Sequence, residues 1–300
     1  MPILGSRRDV LRLMGVGGVV FASGLAGAAG KKKKSSPDSD FFFLQLSDTH
    51  WGYSGVSNPE ADMTLKNVVV TINGVSARPD FIVFTGDLTH TTDDGGVRRK
   101  RMAEFKQIVS QLKIKTLHLM PGEHDASLDA GLAYQENFGA THYTFDHKGV
   151  HFIALDNVSD PGGAVGDAQI DWLAADLKKV GRHAPVVVLT HRPLFDLYPQ
   201  WEWATKDGAK VIDVLLPHKN VTVFYGHIHQ EHHHETEHIR HHAAKSLVFA
   251  LPAPGSVPKK APLPWDAAAP FAGLGYRQID VERYDGDTRL TELPVVKTSA

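Results

Sequence analysis

From residue 41 onward the apolar residues gather into short runs at 41–46, 81–85, 116–120, 150–155, 186–190, 221–225 and 247–251. Their length and their content of Val, Ile and Phe predict buried strands, because a strand covered on both faces shows no polar alternation. Between several of them the apolar spacing becomes helical. Leu65, Val68, Val69 and Ile72 share one face, Met102, Phe105, Ile108, Val109 and Leu112 a second, and Ile170, Leu173, Leu177 and Val180 a third. Strand and helix in alternation predict an α/β protein, whose ligands collect at the carboxyl ends of the strands. After Pro252 the pattern loosens into a proline-rich loop at 258–271, and runs at 277–283 and 289–294 predict antiparallel strands. No internal repeat is visible.

Polar residues of one chemical kind stand where these runs end. Asp48-Thr49-His50 follows the first, Gly86-Asp87 the second, Gly122-Glu123-His124-Asp125 the third, His191 the fifth and Gly226-His227-Ile228-His229 the sixth. Asp48 and His50 are two positions apart, as are His227 and His229, so extended backbone would project each pair on one face. Carboxylate plus imidazole suits manganese, iron(II), zinc or cobalt, and a chain without cysteine has no thiolate for a structural zinc. A carboxylate such as Asp87 can bridge two ions about 3.5 to 4 Å apart, the spacing that clamps a phosphoryl group for in-line attack.

Asp-x-His, Gly-Asp, Gly-x-His-Asp, His and Gly-His-x-His in this order resemble the calcineurin-like metallophosphoesterases across residues 41–252. That resemblance implies a four-layer α/β/β/α sandwich of two mixed sheets and two divalent metal ions. Asp48, His50 and His229 would bind the first ion, His191 and His227 the second, and Asp87 would bridge them. His124 would serve the leaving-group oxygen as general acid or charge stabiliser, oriented by Asp125. A metal-bound hydroxide would attack phosphorus. Ser47-Asp48-Thr49-His50-Trp51-Gly52, Phe138-Gly139 ahead of a strand at Tyr143-Thr144-Phe145, Ala154-Leu155-Asp156-Asn157, Gln169 to Leu173 and His191-Arg192-Pro193-Leu194 are similar to the bacterial cyclic-nucleotide-type phosphodiesterase branch.

One position departs from the pattern. The family carries a neutral Asn as ligand where this chain has Glu123. If Glu123 binds the second metal, the added negative charge favours a monoanionic diester over a dianionic monoester; the alternative is that it turns away. Arg192 could hold phosphate through its guanidinium fork or form a surface ion pair. His90 stands where the purple acid phosphatase branch has a tyrosine ligand, but that branch lacks a histidine equivalent to His50, so His90 reads as a loop histidine near the mouth. The histidines at 232, 233, 234, 238, 241 and 242 could capture metal, or decorate an exposed hairpin or loop. Trp51, Tyr53, Trp201 and Trp203 could line a pocket or simply pack.

Composition narrows the rest. A chain of 300 residues that is 42% hydrophobic can bury a sizeable core, and a net charge of -2 with a pI near 6.8 gives no field to recruit nucleic acid or an anionic membrane. Ser6-Arg7-Arg8-Asp9-Val10-Leu11-Arg12, followed by a Gly/Ala-rich apolar stretch at 13–29, resembles a twin-arginine export signal. Cleavage is expected near Ala28 or Ala29, with 30–40 as linker and 41–300 as one domain; an uncleaved anchor is the other reading. The export machinery would be a partner, and the mature protein periplasmic or secreted, without a stable membrane anchor. The function expected is hydrolysis of phosphodiester or nucleotide-type esters. A phosphomonoesterase, or a non-catalytic metal binder of the same fold, stays open.

Overall fold

The computed structural model of the chain describes residues 20–21, 40–282 and 288–298. The twin-arginine sequence, the apolar stretch apart from Val20 and Phe21, and the linker up to Ser39 lie outside the described residues, so the expected signal and its cleavage point fall there. Among the described residues no helix is long and apolar enough to cross a membrane.

Two six-stranded sheets face each other. The first runs β1 (Val20–Phe21), β12 (Thr288–Pro294), β11 (Gly275–Val281), β2 (Phe41–Leu46), β3 (Ile82–Thr85) and β4 (Leu117–Met120). Within it β2, β3 and β4 are parallel, while β11 pairs antiparallel with both β2 and β12. The second runs β5 (Tyr143–His147), β6 (Val150–Ala154), β7 (Val186–Leu189), β8 (Val221–Tyr225), β10 (Ile239–Ala243) and β9 (His232–Thr236). There β6, β7, β8 and β10 are parallel and the two edge strands antiparallel. Both sheets are therefore mixed, as expected.

Each sheet carries helices on its outer face. Leu65, Val68, Val69 and Ile72 of α1 (Ala61–Gly74) and Met102, Phe105, Ile108 and Val109 of α2 (Gly95–Val109) pack with Leu44, Leu46, Ile82 and Phe84. Ile170, Leu173 and Leu177 of α5 (Asp167–Leu177), with Val211, Ile212 and Leu215 of α6 (Gly208–Leu215), cover Ile153, Val186, Val188, Val221 and Val223. Phenylalanines fill the space between the sheets. Phe43 stacks on Phe81 at 4.9 Å and meets Phe152 and Phe224 edge-on at 5.7 and 5.9 Å. At about 1.5 to 3 kcal/mol per buried phenylalanine, this layer is enough to hold the strand ends in fixed relation. Polar ties cross the same gap: Gln45 Nε2 donates to Tyr225 O at 3.1 Å, and the buried Arg277 of β11 donates to Ala243 O at 2.6 Å while pairing with Glu292. The result is the α/β/β/α sandwich.

Some expectations need correction. Residues 247–251 form no strand; Leu247 N donates to the carbonyls of Ser47 and Asp48, and Phe249 O accepts from His229, so this apolar run folds as irregular backbone against the site. The last strands of the second sheet come instead from the histidine-rich segment. It is a hairpin, as one reading had it, but His241 and His242 are buried rather than exposed. The short helices α3 (Glu123–Ala126) and α4 (Leu132–Phe138), and α6, carry too few turns to stand out by spacing.

Candidate metal centre

The residues that follow β2, β3 and β8 leave the strands through backbone that side chains rarely adopt. Asp48, His50, Asp87, His227 and His229 all have positive φ, between 41° and 66°. Each such residue costs on the order of 1 to 3 kcal/mol, and such strain gathers where a fold over-determines a functional geometry. The Asp48/His50 and His227/His229 pairs therefore converge through left-handed loops, not through strand alternation as the spacing suggested. Neighbouring glycines make room. A Cβ on Gly122 would lie 2.0 Å from Asp87 Oδ1, and one on Gly226 2.0 Å from Ser47 Oγ.

The convergence has two halves sharing one carboxylate. Asp48, His50 and His229 bring ligand atoms within 4.8 Å of one another, and so do Glu123, His191 and His227. Asp87 Oδ2 lies between them, 3.3 Å from His50 Nε2 and 3.4 Å from His191 Nε2. On the first side His229 Nε2 is 3.4 Å from Asp48 Oδ1 and 3.3 Å from His50 Nε2. On the second, Glu123 reaches His191 Nε2 at 2.8 Å and His227 Nδ1 at 2.9 Å. Glu123 thus points into the cage. Asp48, His50, Asp87, His191, His227 and His229 are all buried.

Backbone carbonyls decide which ring nitrogens face inward. His191 Nδ1 donates to Thr85 O at 2.7 Å, His229 Nδ1 to Phe249 O at 2.8 Å, and His227 Nε2 to Glu202 O at 3.0 Å. In a neutral ring the proton is then on the outer nitrogen, which leaves the inner nitrogen free to bind a cation. His191 Nε2 is fully buried among the carboxylates. Carboxylates and ring nitrogens this close in a desolvated site need positive charge among them, and this donor set is one that divalent transition ions take. The residues present fit such ions. Burial opposes charge on Asp87, and Glu123 opposes it further, yet His191, His124 and His50 hold its carboxyl below the usual range. Burial likewise disfavours a charged His191, but Asp87 and Glu123 raise its pKa well above that of a free imidazole, so the carboxylates draw a second proton onto this ring unless a metal ion supplies the positive charge.

His124 stands at the rim, 4.0 Å from Asp87 Oδ2. Its orienting partner differs from the expected one. Asp125 accepts from Leu88 N, Thr89 N, Thr89 Oγ1 and Gly122 N at 2.8 to 3.0 Å, so its oxygens are taken up tying the Asp87 loop to the Gly122 turn. Burial and the neighbouring Asp87 raise its pKa to about 6. His124 is set instead by the amide of Thr91, which donates to Nδ1 at 3.1 Å. The proton of a neutral imidazole is then on Nε2, facing the cage.

His90 stacks on His124 with ring centres 5.0 Å apart, and its Nδ1 lies 3.2 Å from His50 Nδ1. Burial, then His124, lowers its pKa to about 4. It is at the mouth, but closer to the ligands than a loop histidine need be. Arg192 is buried behind Glu123, its Nε 3.9 Å from Oε2, and does not line the central cavity. Trp201 and Trp203 pack against each other in a buried cluster, whereas Tyr53 meets His90 and Phe249 at 5.1 Å. Asp156 accepts from Val158 N and Ser159 N, a turn-forming role. Sequence reading missed Thr85, Phe249, Glu202 and Thr91, because their backbone groups act and a backbone group leaves no residue signature.

A cavity of about 150 Å³ opens over this cluster, lined by His50, Glu123, His124 and His229 together with Phe249 and Lys260. Comparison with known proteins agrees with the geometry. Residues 43–231 match the family described as calcineurin-like phosphoesterase. A probable cyclic nucleotide phosphodiesterase of Rhodococcus erythropolis is 31% identical over 209 residues, covering 64% of this chain and 66% of the relative. A cAMP/cGMP dual specificity phosphodiesterase of Mycobacterium tuberculosis is 28% identical over 170 residues, covering 53% and 52%. The chain thus spans less than two thirds of the length of these relatives. Among solved structures, a purple acid phosphatase from yellow lupin superposes with a TM-score of 0.60 at 14% identity, covering 84% of this chain and 51% of the other.

Proposed function

Because the chain belongs to the calcineurin-like phosphoesterase family, we propose that it hydrolyses phosphodiester or nucleotide-type phosphate esters with a pair of divalent metal ions. The observation that carries this is the set of inward-facing ring nitrogens of His191, His227 and His229, gathered on the carboxylates of Asp48, Asp87 and Glu123. Asp48, His50 and His229 would hold one ion, Glu123, His191 and His227 the other, and Asp87 would join them. Bound ions supply Lewis acidity and an activated water for in-line attack on phosphorus.

The chain's own groups do the rest. His124, with Nδ1 occupied by the Thr91 amide, donates a hydrogen bond from Nε2 to the departing oxygen and stabilises its developing charge as a neutral donor. Glu123 adds a negative charge where the family pattern has an amide, which lowers attraction for a dianion more than for a monoanion. Diesters are therefore the favoured class, in keeping with the names of the two bacterial phosphodiesterase relatives. The test is turnover of bis(p-nitrophenyl) phosphate in manganese or zinc. His124→Ala should lower kcat by about 10² to 10³, the usual effect of losing one preorganised donor, with metal content unchanged. No turnover in any metal would leave only a binding role; preference for p-nitrophenyl phosphate would favour a monoesterase.

The same protein is proposed to be exported, on the strength of Arg7-Arg8 and the apolar stretch after them. Arg7→Lys with Arg8→Lys should retain it in the cytoplasm, as read by cell fractionation. Equal export of that variant would refute the signal.

A further inference from the structure

Arg192 does not line the cavity, so a side-chain cation that meets a bound ester there is another residue. Among the residues that wall the cavity, Lys260 is the only lysine or arginine. It sits in the proline-rich segment after the last motif, where Leu263 N donates to Ala250 O at 2.9 Å and ties that segment to the wall. Lys259 beside it is exposed, whereas Lys260 is half-buried. The Lys260 ammonium donates to Trp201 O at 3.0 Å. The next carbonyl, that of Glu202, accepts from the candidate ligand His227. Adjacent peptide groups of one turn, held by Glu202 at φ 61°, therefore fix both the candidate ligand and the cation.

The carboxylate of Glu202 does not neutralise this charge. It is 4.0 Å away and 69% exposed, a distance and setting at which an ion pair contributes little. Of the three ammonium protons one is used on Trp201 O, which leaves donors for a ligand in the cavity that this lysine lines. Phe249, Leu251, Ala261 and Pro262, which also line it, are apolar. Resting on the proposed phosphoesterase function, we propose that Lys260 is a substrate-binding residue that holds a phosphoryl oxygen in the cavity that His124 also lines. That oxygen belongs either to the phosphate being cleaved or to a second phosphate on the same molecule.

Calorimetric titration of the manganese-loaded full chain with inorganic phosphate and with pyrophosphate tests this without requiring turnover. Lys260→Met should weaken binding by about tenfold or more, the loss expected for a charge-assisted hydrogen bond, while manganese content stays unchanged. Lys260→Arg should restore affinity to within about threefold. Weakening of both anions assigns the oxygen to the cleaved phosphate; weakening of pyrophosphate alone assigns it to a second one. With bis(p-nitrophenyl) phosphate, the first case raises KM and leaves kcat within about threefold. If Lys260→Met binds both anions as wild type does, or loses its manganese, the assignment is overturned. A protein that binds phosphate through Lys260 yet turns over no ester would refute the enzymatic function and leave the Lys260 site standing.

Discussion

Glu123 is the residue on which chemistry and specificity meet. Its two oxygens stand 2.8 Å from His191 Nε2 and 2.9 Å from His227 Nδ1, so it is among the candidate ligands of the proposed second ion. An amide there would leave the site one unit more positive. Glu123→Asn should therefore weaken the second divalent ion and shift the ratio of monoester to diester turnover upward, each by about tenfold, the equivalent of roughly 1.4 kcal/mol of lost attraction. Metal titration and paired kcat/KM values would show both; unchanged values for each would remove Glu123 from the site's charge balance. Arg192, 3.9 Å behind it, is then best understood as a counter-charge to this carboxylate. Candidate ligands were well marked in the sequence, since Asp and His at the ends of apolar runs have few other reasons to recur. Residues were poorly marked when their role depended on a partner: nothing in Gly122-Glu123-His124-Asp125 tells that Asp125 binds amides while the Thr91 amide sets His124.

At the scale of elements, the histidine-rich hairpin is the part that departs most from expectation. His234 and His241 face each other across β9 and β10, as do His233 and His242, whose Nδ1 atoms are 2.7 Å apart. Polar residues in strands carry no apolar pattern, so the hairpin could be anticipated but its buried face could not. Phe195, stacked on His234 at 3.8 Å and edge-on to His241, supplies that cover. Burial, then His234, holds the His241 pKa down to about 3. A histidine depressed in the folded state takes up its proton on unfolding at any pH between the two values. Stability is thus full above the ordinary imidazole pKa and falls as pH drops below about 6.5, by up to about 1.4 kcal/mol per pH unit for each such group. Urea unfolding at pH 7.0 and 5.0 should show this loss, and His241→Phe should reduce it. An equal loss in that variant would place the pH dependence elsewhere. The other parallel strands, β2, β3, β4, β6, β7 and β8, were by contrast legible almost to the residue, because their runs are near-continuously apolar.

For the whole molecule, a double sheet presents loops from β2, β3, β4, β7 and β8 to a single point, those after β2, β3 and β8 through strained backbone. The phenylalanine layer holds the sheets, Arg277 and Gln45 tie them, and the left-handed residues at the strand ends persist because this frame over-determines them. The alternation of strands and helices followed from periodicity, while the layers, the mixed sheets and the neighbourhood of the site followed from the family resemblance that the motif order carries. The irregular course of residues 247–251 and the wall carrying Lys260 did not, since tertiary contacts override apolar spacing there and loop shape is set by the surfaces it crosses. The central claim is that carboxylates and imidazoles from distant loops form one cage for two divalent ions. Elemental analysis of the purified protein after manganese loading and gel filtration tests it directly. The expected result is two ions per chain, falling to one or none in Asp87→Ala, whose carboxylate lies between both halves. A metal-free wild-type protein, or a stoichiometry of two that survives the loss of Asp87, would contradict it.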